Sequence, residues 1–430
     1  MATSESPILP RTPVRRAADV TAARLGRAIL GYLVAITCII TLAPFRFASA
    51  PVHGLTDLWD WKDAVMNVVM FVPLGFVYQL TRPVGAPLNQ QRVLLLGALL
   101  SGFIETVQLF APSRYTSLVD LATNAVGAVV GAWLYHTIVQ RLEGDSTVRS
   151  LALELPLMGL VYLLVPLLWL TGLASDGGSR AWLMLPVLAF GGGILGTVYA
   201  AYLEPNAGRS PWWLFLSAST WYGVAFLPGT FRQTAVVVAG GAVVFGTAWL
   251  RSIATRRYRQ GAAIQRFELP TLRLVLPLFA AYLALSSLWP LQLTDGRSVW
   301  MTPLLTQSTA SKTDVFVALE HVAAFTLVGY IIAEFHGRDL LRYRAIAGRV
   351  ALWSGGLSLL LEAARSVHPL YRASLSMYLL TMGAALFGGW MYQLQRDHVR
   401  ALLQRRTARV AVSACTPAQG TLHASQRHVA

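Results

Sequence analysis

The chain has 430 residues, of which 55% are hydrophobic and only 13% are charged. Soluble proteins carry about a quarter charged residues, and the mean hydropathy of +0.53 also points to a membrane protein. This composition excludes a disordered chain, a disulfide-stapled secreted domain and an ordinary cytosolic enzyme. The formal net charge of +15 would suggest nucleic-acid binding in a soluble protein. Here no basic domain stands apart from the apolar stretches, so no nucleic-acid partner is expected.

A helix that crosses a bilayer needs about 20 mostly apolar residues. Twelve stretches meet this need, the seventh least clearly because small polar residues interrupt it at 217–220, so a count of ten or eleven stays open. In chain order the stretches are 28–44, 64–80, 93–111, 118–139, 151–172, 181–203, 212–228, 234–250, 272–290, 315–334, 350–367 and 375–395. The sequence therefore predicts an all-α polytopic membrane protein with about 12 transmembrane helices.

The basic residues predict the orientation of these helices. If the N-terminus is cytoplasmic and the loops alternate, 26 of the 35 Lys and Arg residues fall on the cytoplasmic side, where such residues concentrate. Both termini are then cytoplasmic, and the inner face attracts anionic lipid. The small residues Ala48-Ser49-Ala50 resemble a signal-peptide cleavage site, but the basic region before residue 28 is long for a signal peptide, and we interpret 28–44 as a retained first span.

Two segments of the chain share residues at a constant offset of 257. Glu105 and Glu362 each follow an Arg-Val pair by the same distance, and four residue types recur after them at equal spacing: Pro112 and Pro369, Ser117 and Ser374, Gly131 and Gly388, Trp133 and Trp390. Each segment has four predicted spans and begins on the cytoplasmic side, so the two are expected to be parallel repeats. They flank a middle block of four spans.

The predicted organisation has five parts. A basic cytoplasmic tail covers 1–27, the first repeat 28–141, the middle block with a basic cytoplasmic loop 142–271, the degenerate second repeat 272–395, and a cytoplasmic tail, expected to be disordered, 396–430.

The first repeat carries polar residues in or beside its apolar stretches: Arg46, Asp63, Asn67, Glu105, Gln108, Arg114, Asp120 and Asn124. Helical spacing puts Glu105 with Gln108 on one face and Asp120 with Asn124 on another, and we expect all of them to converge at the outer side of the membrane. Ionisable residues at such depth indicate a functional site. The alternative is that they join helices by hydrogen bonds; for Gln108 and Asn124 both interpretations stay open.

These residues lie in runs that resemble the VanZ-like family: Pro44-Phe45-Arg46-Phe47, Phe71-Val72-Pro73-Leu74-Gly75-Phe76, Glu105-Thr106-Val107-Gln108-Leu109-Phe110 and Asp120-Leu121-Ala122-Thr123-Asn124. The resemblance covers about residues 40–139. The family is named for a protein associated with teicoplanin resistance. The resemblance thus implies a multi-pass protein of the bacterial cytoplasmic membrane, with a role in the cell envelope or in antibiotic resistance.

Residues of about 286–395 resemble the family less closely. The counterparts of the first site are His321, Glu362, Arg365 and Ser374, with Arg365 in place of Gln108. Glu362 and Arg365 are three residues apart on a predicted helix, so we expect an internal ion pair with a stabilising role. If the family's polar set forms a working site, only the first repeat keeps it.

Three classes of function fit these patterns. The preferred hypothesis is a pocket facing outward that engages the headgroup of a membrane lipid or lipid-linked cell-wall precursor. Arg46 and Arg114 would attract the anionic group, and the other polar residues would hydrogen-bond the ligand. A transporter or lipid flippase is the second hypothesis. The third is a membrane-embedded enzyme with Glu105 as general base, although the sequence supplies no nucleophile, so catalytic residues are unknown and catalysis is disfavoured.

No cofactor is predicted. The histidines show no ligand spacing, and the most plausible metal set (His53, Asp63 and Glu105) lacks a recognisable motif, so no metal site is predicted. The two cysteines, Cys38 and Cys415, are expected to be inert. The oligomeric state and the ligand stay open.

Overall fold

The structure is a computed structural model that describes residues 13–52, 60–82, 87–142, 145–176, 178–200, 211–230, 233–259, 268–290, 312–336, 342–366, 368 and 373–415. Across these ranges the protein is helical, with no β-strand. This arrangement confirms the all-α prediction for the described part of the chain.

The helices, in chain order, are α1 (Pro13–Leu42), α2 (Trp61–Leu80), α3 (Gln90–Gln108), α4 (Leu118–Leu142), α5 (Asp145–Ser175), a 3₁₀ helix (Ser179–Leu183), α6 (Met184–Val198), α7 (Trp212–Thr230), α8 (Thr234–Arg259), α9 (Glu268–Leu288), α10 (Lys312–His336), α11 (Tyr343–Ser366) and α12 (Leu375–Cys415). Within the ranges that the structure describes, every predicted apolar stretch overlaps a helix. Among the described residues, eight helical segments are long and apolar enough to cross a membrane: α1, α2, α4, α5, the 3₁₀ helix with α6, α8, α9 and α10. The protein is thus a multi-pass membrane protein, and the count of twelve spans stays a prediction.

Local sequence explains where several helices begin and continue. The Asp60 side chain accepts from the Lys62 backbone N–H at the start of α2, and Asn89 does the same for Arg92 at the start of α3, each at 2.9 Å. Short polar side chains of this kind are favoured N-caps. Helix α7 runs unbroken through 217–220. The hydroxyls of Ser217 and Thr220 in this polar stretch donate to carbonyls of their own helix, so both are satisfied within it.

Helices α2 and α4 run parallel with almost no space between their backbones. A Cβ added at Gly75 would lie 1.8 Å from the Ala128 carbonyl oxygen, and one at Gly131 would lie 1.9 Å from that of Val72. Glycine is therefore required at both positions, as is common where membrane helices cross closely. The same arrangement joins α10 and α12, where an added Cβ at Gly388 would lie 1.8 Å from the Thr326 carbonyl oxygen.

The centre of the protein is formed by α5, α6 and α10, whose apolar side chains are the most completely buried. Trp169 of α5 is 2% exposed, and its indole N–H donates to the Val224 carbonyl of α7. Buried Trp and Tyr normally find such a partner. The middle block also contacts both flanking four-helix units: the ring centroids of Phe76 (α2) and Tyr162 (α5) lie 6.1 Å apart, and the Thr171 hydroxyl of α5 lies 2.9 Å from the Tyr282 hydroxyl of α9.

The first and last helices lie side by side. Tyr32 of α1 and Phe387 of α12 have ring centroids 5.6 Å apart, and Thr21 contacts His398 at 3.3 Å, so the two helices run antiparallel. Helix α12 continues to Cys415. Residues 396–415 of the tail that the sequence predicts to be disordered are thus part of this helix; residues 416–430 lie outside the described residues.

Candidate functional site

The polar residues of α1–α4 gather at one end of this four-helix unit. The segment after α1 is fastened to the end of α3, because the backbone N–H groups of Ala48 and Val52 donate to the carbonyls of Phe110 and Leu109 at 2.8 and 2.9 Å. The loop 109–117 then leads directly into α4. The last turn of α1, the end of α3 and the starts of α2 and α4 therefore meet at this end.

Glu105 is the most buried carboxylate of this group, with 7% of its surface exposed. Its Oε2 accepts from the Ser117 backbone N–H at 3.0 Å, and the Thr116 hydroxyl donates to the Glu105 carbonyl at 3.3 Å. Glu105 thereby closes the turn between α3 and α4. One carboxylate oxygen is used in this way, which leaves acceptor capacity on the group.

Three carboxylates of this end interact electrostatically. Asp120 is half-buried and lies near enough to Asp63 and Glu105 to interact with them electrostatically, with the Asn67 side chain close by. Asp63 is exposed at the start of α2. The structure thus brings together all four of these predicted residues, and the cluster concentrates carboxyl groups that a cationic or hydroxyl-rich group could hydrogen-bond.

Gln108 and Arg114 serve mainly to close the end of α1. The Gln108 amide donates to the Thr41 carbonyl at 3.0 Å, and an Arg114 terminal nitrogen donates to the carbonyls of Ile40 and Ala43 at 3.0 and 3.5 Å. Helix C-terminal carbonyls need such partners. Burial lowers the pKa of the Arg114 guanidinium. The interpretation of Gln108 as a helix-joining residue is therefore the one that its contacts favour.

Asn124 is buried on α4 at 4% exposure, and its amide donates to the Ser101 hydroxyl of α3 at 2.9 Å. Its side-chain oxygen has no hydrogen-bond partner among the described residues. A small cavity of about 70 Å³ adjoins Asn67, with walls from α1, α2, α5 and α7. Asn124 thus joins two helices and keeps one acceptor unused.

Two cations lie at the edge of the site. Arg46 is exposed on the segment after α1. Lys312, at the start of α10, is near enough to Arg114 to repel it. Sequence reasoning missed Lys312, because no local pattern connects it with a site about two hundred residues earlier. Within the described ranges there is no group of three His, Cys, Asp or Glu placed to hold a metal ion; His53 lies outside them.

The corresponding residues of α9–α12 are connected differently. Glu362 accepts from the Ser374 backbone N–H at 2.8 Å and pairs with Arg365 at 3.1 Å, which confirms the expected ion pair. Arg365 also donates to the Ser287 carbonyl at 3.4 Å. His321 is buried, with its ring nitrogens near the Val317 carbonyl and the Ser287 hydroxyl. These contacts lie within the protein and give each charge an internal partner.

A second buried ion pair was not expected from the sequence. Arg180 of the 3₁₀ helix lies 2.7 Å from Glu320 of α10 and donates to the Ser286 carbonyl at 3.0 Å. The Tyr282 hydroxyl donates to the other Glu320 oxygen at 2.8 Å and contacts Thr171. This network joins the middle block to α9 and α10, and sequence pattern alone gave no signal for it, since its members come from four separate helices.

The helices and the polar end of α1–α4 define a multi-pass α-helical membrane protein with a four-helix unit at its N-terminal side. Residues 27–140 match the family described as VanZ/LLP1, so the chain carries a VanZ-like domain that spans α1–α4. The match confirms the resemblance inferred from the sequence runs. A comparison with curated proteins and with solved structures finds no match to this chain.

Proposed function

We propose that this protein lies in the bacterial cytoplasmic membrane with both termini in the cytoplasm, and that its VanZ-like domain binds the headgroup of an envelope lipid or lipid-linked cell-wall precursor. The skew of basic residues toward alternate loops supports the orientation. In that orientation the end of the domain that holds Glu105 faces outward. The observation that carries the proposal is the convergence of Glu105, Asp120 and Asn67 at that end.

The chemistry of this end fits a headgroup with both anionic and hydrogen-bonding parts. The carboxylates Asp63, Asp120 and Glu105 can accept from amino or hydroxyl groups, while Arg46 and Lys312 supply positive charge at the rim for a phosphate. A sugar or peptide headgroup on a diphosphate lipid carries both kinds of group. Such mixed chemistry favours the precursor over a simple phospholipid.

We also propose that α9–α12 form a second, degenerate copy of the domain, parallel to the first. Matched contacts support it. The pairs are Glu105–Ser117 with Glu362–Ser374, Asn124–Ser101 with Thr381–Ser358, Gln108–Thr41 with Arg365–Ser287, and Gly131–Val72 with Gly388–Thr326. Contacts at equivalent positions on equivalent helices are expected of a duplicated unit. Because the second copy pairs its charges internally, we assign ligand binding to the first copy alone.

Binding can be tested with the full-length protein in nanodiscs that contain either phosphatidylglycerol alone or phosphatidylglycerol with a polyprenyl-diphosphate-linked sugar peptide. Asp120→Asn and Glu105→Gln remove charge while keeping shape and the hydrogen bond from Ser117. Asp397→Asn, on the opposite end of the protein, is the matched control. In native mass spectra we expect wild type and the control to retain the precursor, and the two site variants to bind it about tenfold more weakly or worse.

A deletion strain extends the test to the cell. Complementation with wild type should restore the lipid-linked precursor profile and teicoplanin susceptibility pattern, whereas Asp120→Asn should not restore them although it inserts normally. Equal precursor retention by wild type and both site variants would overturn the proposal. Movement of the precursor between leaflets in proteoliposomes would replace it by the flippase alternative, and a chemically altered lipid in wild-type cells would replace it by the enzyme.

A further inference from the structure

An open apolar groove lies between the first and last helices, away from the polar site. Its volume is about 600 Å³, within the range of small-molecule sites. Helices α1 and α12 form its walls and α10 contributes to its floor; Gly31, Tyr32, Thr326, Gly383 and Phe387 are among the lining residues. Since these helices include spans, the groove opens toward lipid.

The groove exists because side chains are missing on both walls. A Cβ added at Gly31 or at Gly383 would meet no atom within 4 Å. By contrast, the glycines at the α2–α4 and α10–α12 crossings have no room for one. Gly31 and Gly383 therefore do not serve helix packing within this chain, and the space that they leave suits an external apolar chain.

One end of the groove is positively charged. Exposed Arg27 lines it at that end. Because α1 and α12 are antiparallel there, α12 continues from Phe387 toward Arg396 and Arg400 on the same side, and α1 carries exposed Arg24 one turn before Arg27. Basic pockets between membrane helices on the cytoplasmic side attract anionic headgroups.

We propose that this groove binds one anionic phospholipid of the inner leaflet, with an acyl chain between Gly31 and Gly383 and the phosphate at Arg27. The apolar walls match a hydrocarbon chain, and a guanidinium recognises phosphate through paired hydrogen bonds. The bound lipid would seal the seam between the two ends of the chain. This site is separate from the proposed headgroup pocket and does not depend on it.

A second copy of the protein fits the groove less well. Copies in one membrane share an orientation, so a partner helix that entered here would bring its own basic end beside Arg24 and Arg27. Like charges brought side by side in this way repel each other. The positive end of the groove thus favours an anionic lipid over a copy of this chain.

The test uses native mass spectrometry of the full-length protein with added dioleoyl-phosphatidylglycerol, and in parallel with dioleoyl-phosphatidylcholine. Gly383→Leu places a side chain in the groove, at a position where an added Cβ meets no atom within 4 Å. Gly356→Leu, on α11, is the matched control because an added Cβ there also meets nothing within 4 Å. We expect wild type and Gly356→Leu to retain one phosphatidylglycerol, and Gly383→Leu to bind it about tenfold more weakly.

Arg27→Gln separates headgroup recognition from the acyl contact. We expect this variant to bind phosphatidylglycerol no better than phosphatidylcholine, while wild type prefers phosphatidylglycerol. Equal retention of phosphatidylglycerol by wild type and Gly383→Leu would overturn the proposal. A dimer that Gly383→Leu abolishes and Gly356→Leu does not would also overturn it and assign the groove to a second copy. Thermal unfolding of each variant in detergent checks that loss of lipid does not follow from loss of fold.

Discussion

The polar ends of α1–α4 and α9–α12 share the hydrogen bond that joins one helix to the next but differ in how their charges are paired. In both, a glutamate carboxylate accepts from the backbone N–H of the serine just before the next helix. Glu105 accepts from Ser117 at 3.0 Å, and Glu362 accepts from Ser374 at 2.8 Å. Only Glu362 is also paired with an arginine, at 3.1 Å. The shared hydrogen bond therefore explains why both ends fold alike, whereas the unpaired carboxylates of the first end make it the candidate for binding.

The arginine contacts show how the second end is closed. Arg114 donates to the Ile40 carbonyl in the first unit, and Arg180 donates to the carbonyl of Ser286, which occupies the corresponding place in α9. Arg180 comes from the middle block and also pairs with Glu320. The second unit thus receives, besides its own Arg365, an arginine from outside itself, and the Arg180–Glu320 pair ties it to the middle of the protein.

The largest expected effect concerns the helix crossings that both units share. Gly131→Leu and Gly388→Leu each drive a side chain into a facing backbone carbonyl, and overpacking typically costs about 1–3 kcal/mol and occasionally more. We expect both variants to lose folded protein in size-exclusion chromatography, with Gly356→Leu unaffected. If only one of the two failed to fold, the two crossings would not be equivalent and the comparison would break.

The next effect concerns the ion pair that closes the second unit. Arg180→Met leaves Glu320 buried without its cation, which costs about 3–5 kcal/mol. The double variant Arg180→Met with Glu320→Leu removes both charges and should recover much of that loss. Thermal unfolding in detergent measures both. Additive losses in the double variant would show that the two side chains do not stabilise the protein as a pair.

The two glutamates should respond differently to the same change. Glu362→Gln removes the carboxylate that pairs with buried Arg365, at a cost of about 3 kcal/mol. Glu105→Gln keeps the hydrogen bond from Ser117 and relieves repulsion from Asp120, so its cost should be within about 1 kcal/mol. Unfolding midpoints of the two variants compare them directly. Equal destabilisation would contradict the view that charge balance distinguishes the two ends.

The smallest effect is expected when a residue of the first unit is replaced by its counterpart from the second unit. Asn124→Thr places in the first unit the residue type of Thr381, whose hydroxyl lies 2.7 Å from the Ser358 hydroxyl. The variant should keep a bond to Ser101, with a change in unfolding free energy within about 1 kcal/mol. Asn124→Leu, which leaves the Ser101 hydroxyl without this partner, is the contrasting variant and should destabilise more. Equal effects would mean that the Ser101 contact is not maintained by the threonine.

Much of this arrangement follows from sequence, for reasons that particular residues make clear. Apolar stretches of the required length became helices, since a backbone without water must satisfy its own hydrogen bonds. The spacing of Glu362 and Arg365 predicted their ion pair because residues three apart share a helix face. The roles of Gln108 and Arg114 were harder to foresee, since their partners are backbone carbonyls of α1, about seventy residues earlier.

The low charge content by itself indicated a membrane protein, and the family runs indicated the VanZ-like domain. The surplus of positive charge predicts an orientation. These properties depend on composition and local pattern. Only the tertiary structure decided which polar groups are paired. The Arg180–Glu320 contact and the groove between α1 and α12 both depend on helices far apart in the chain, and side chains from such helices meet only through packing, which local sequence does not specify.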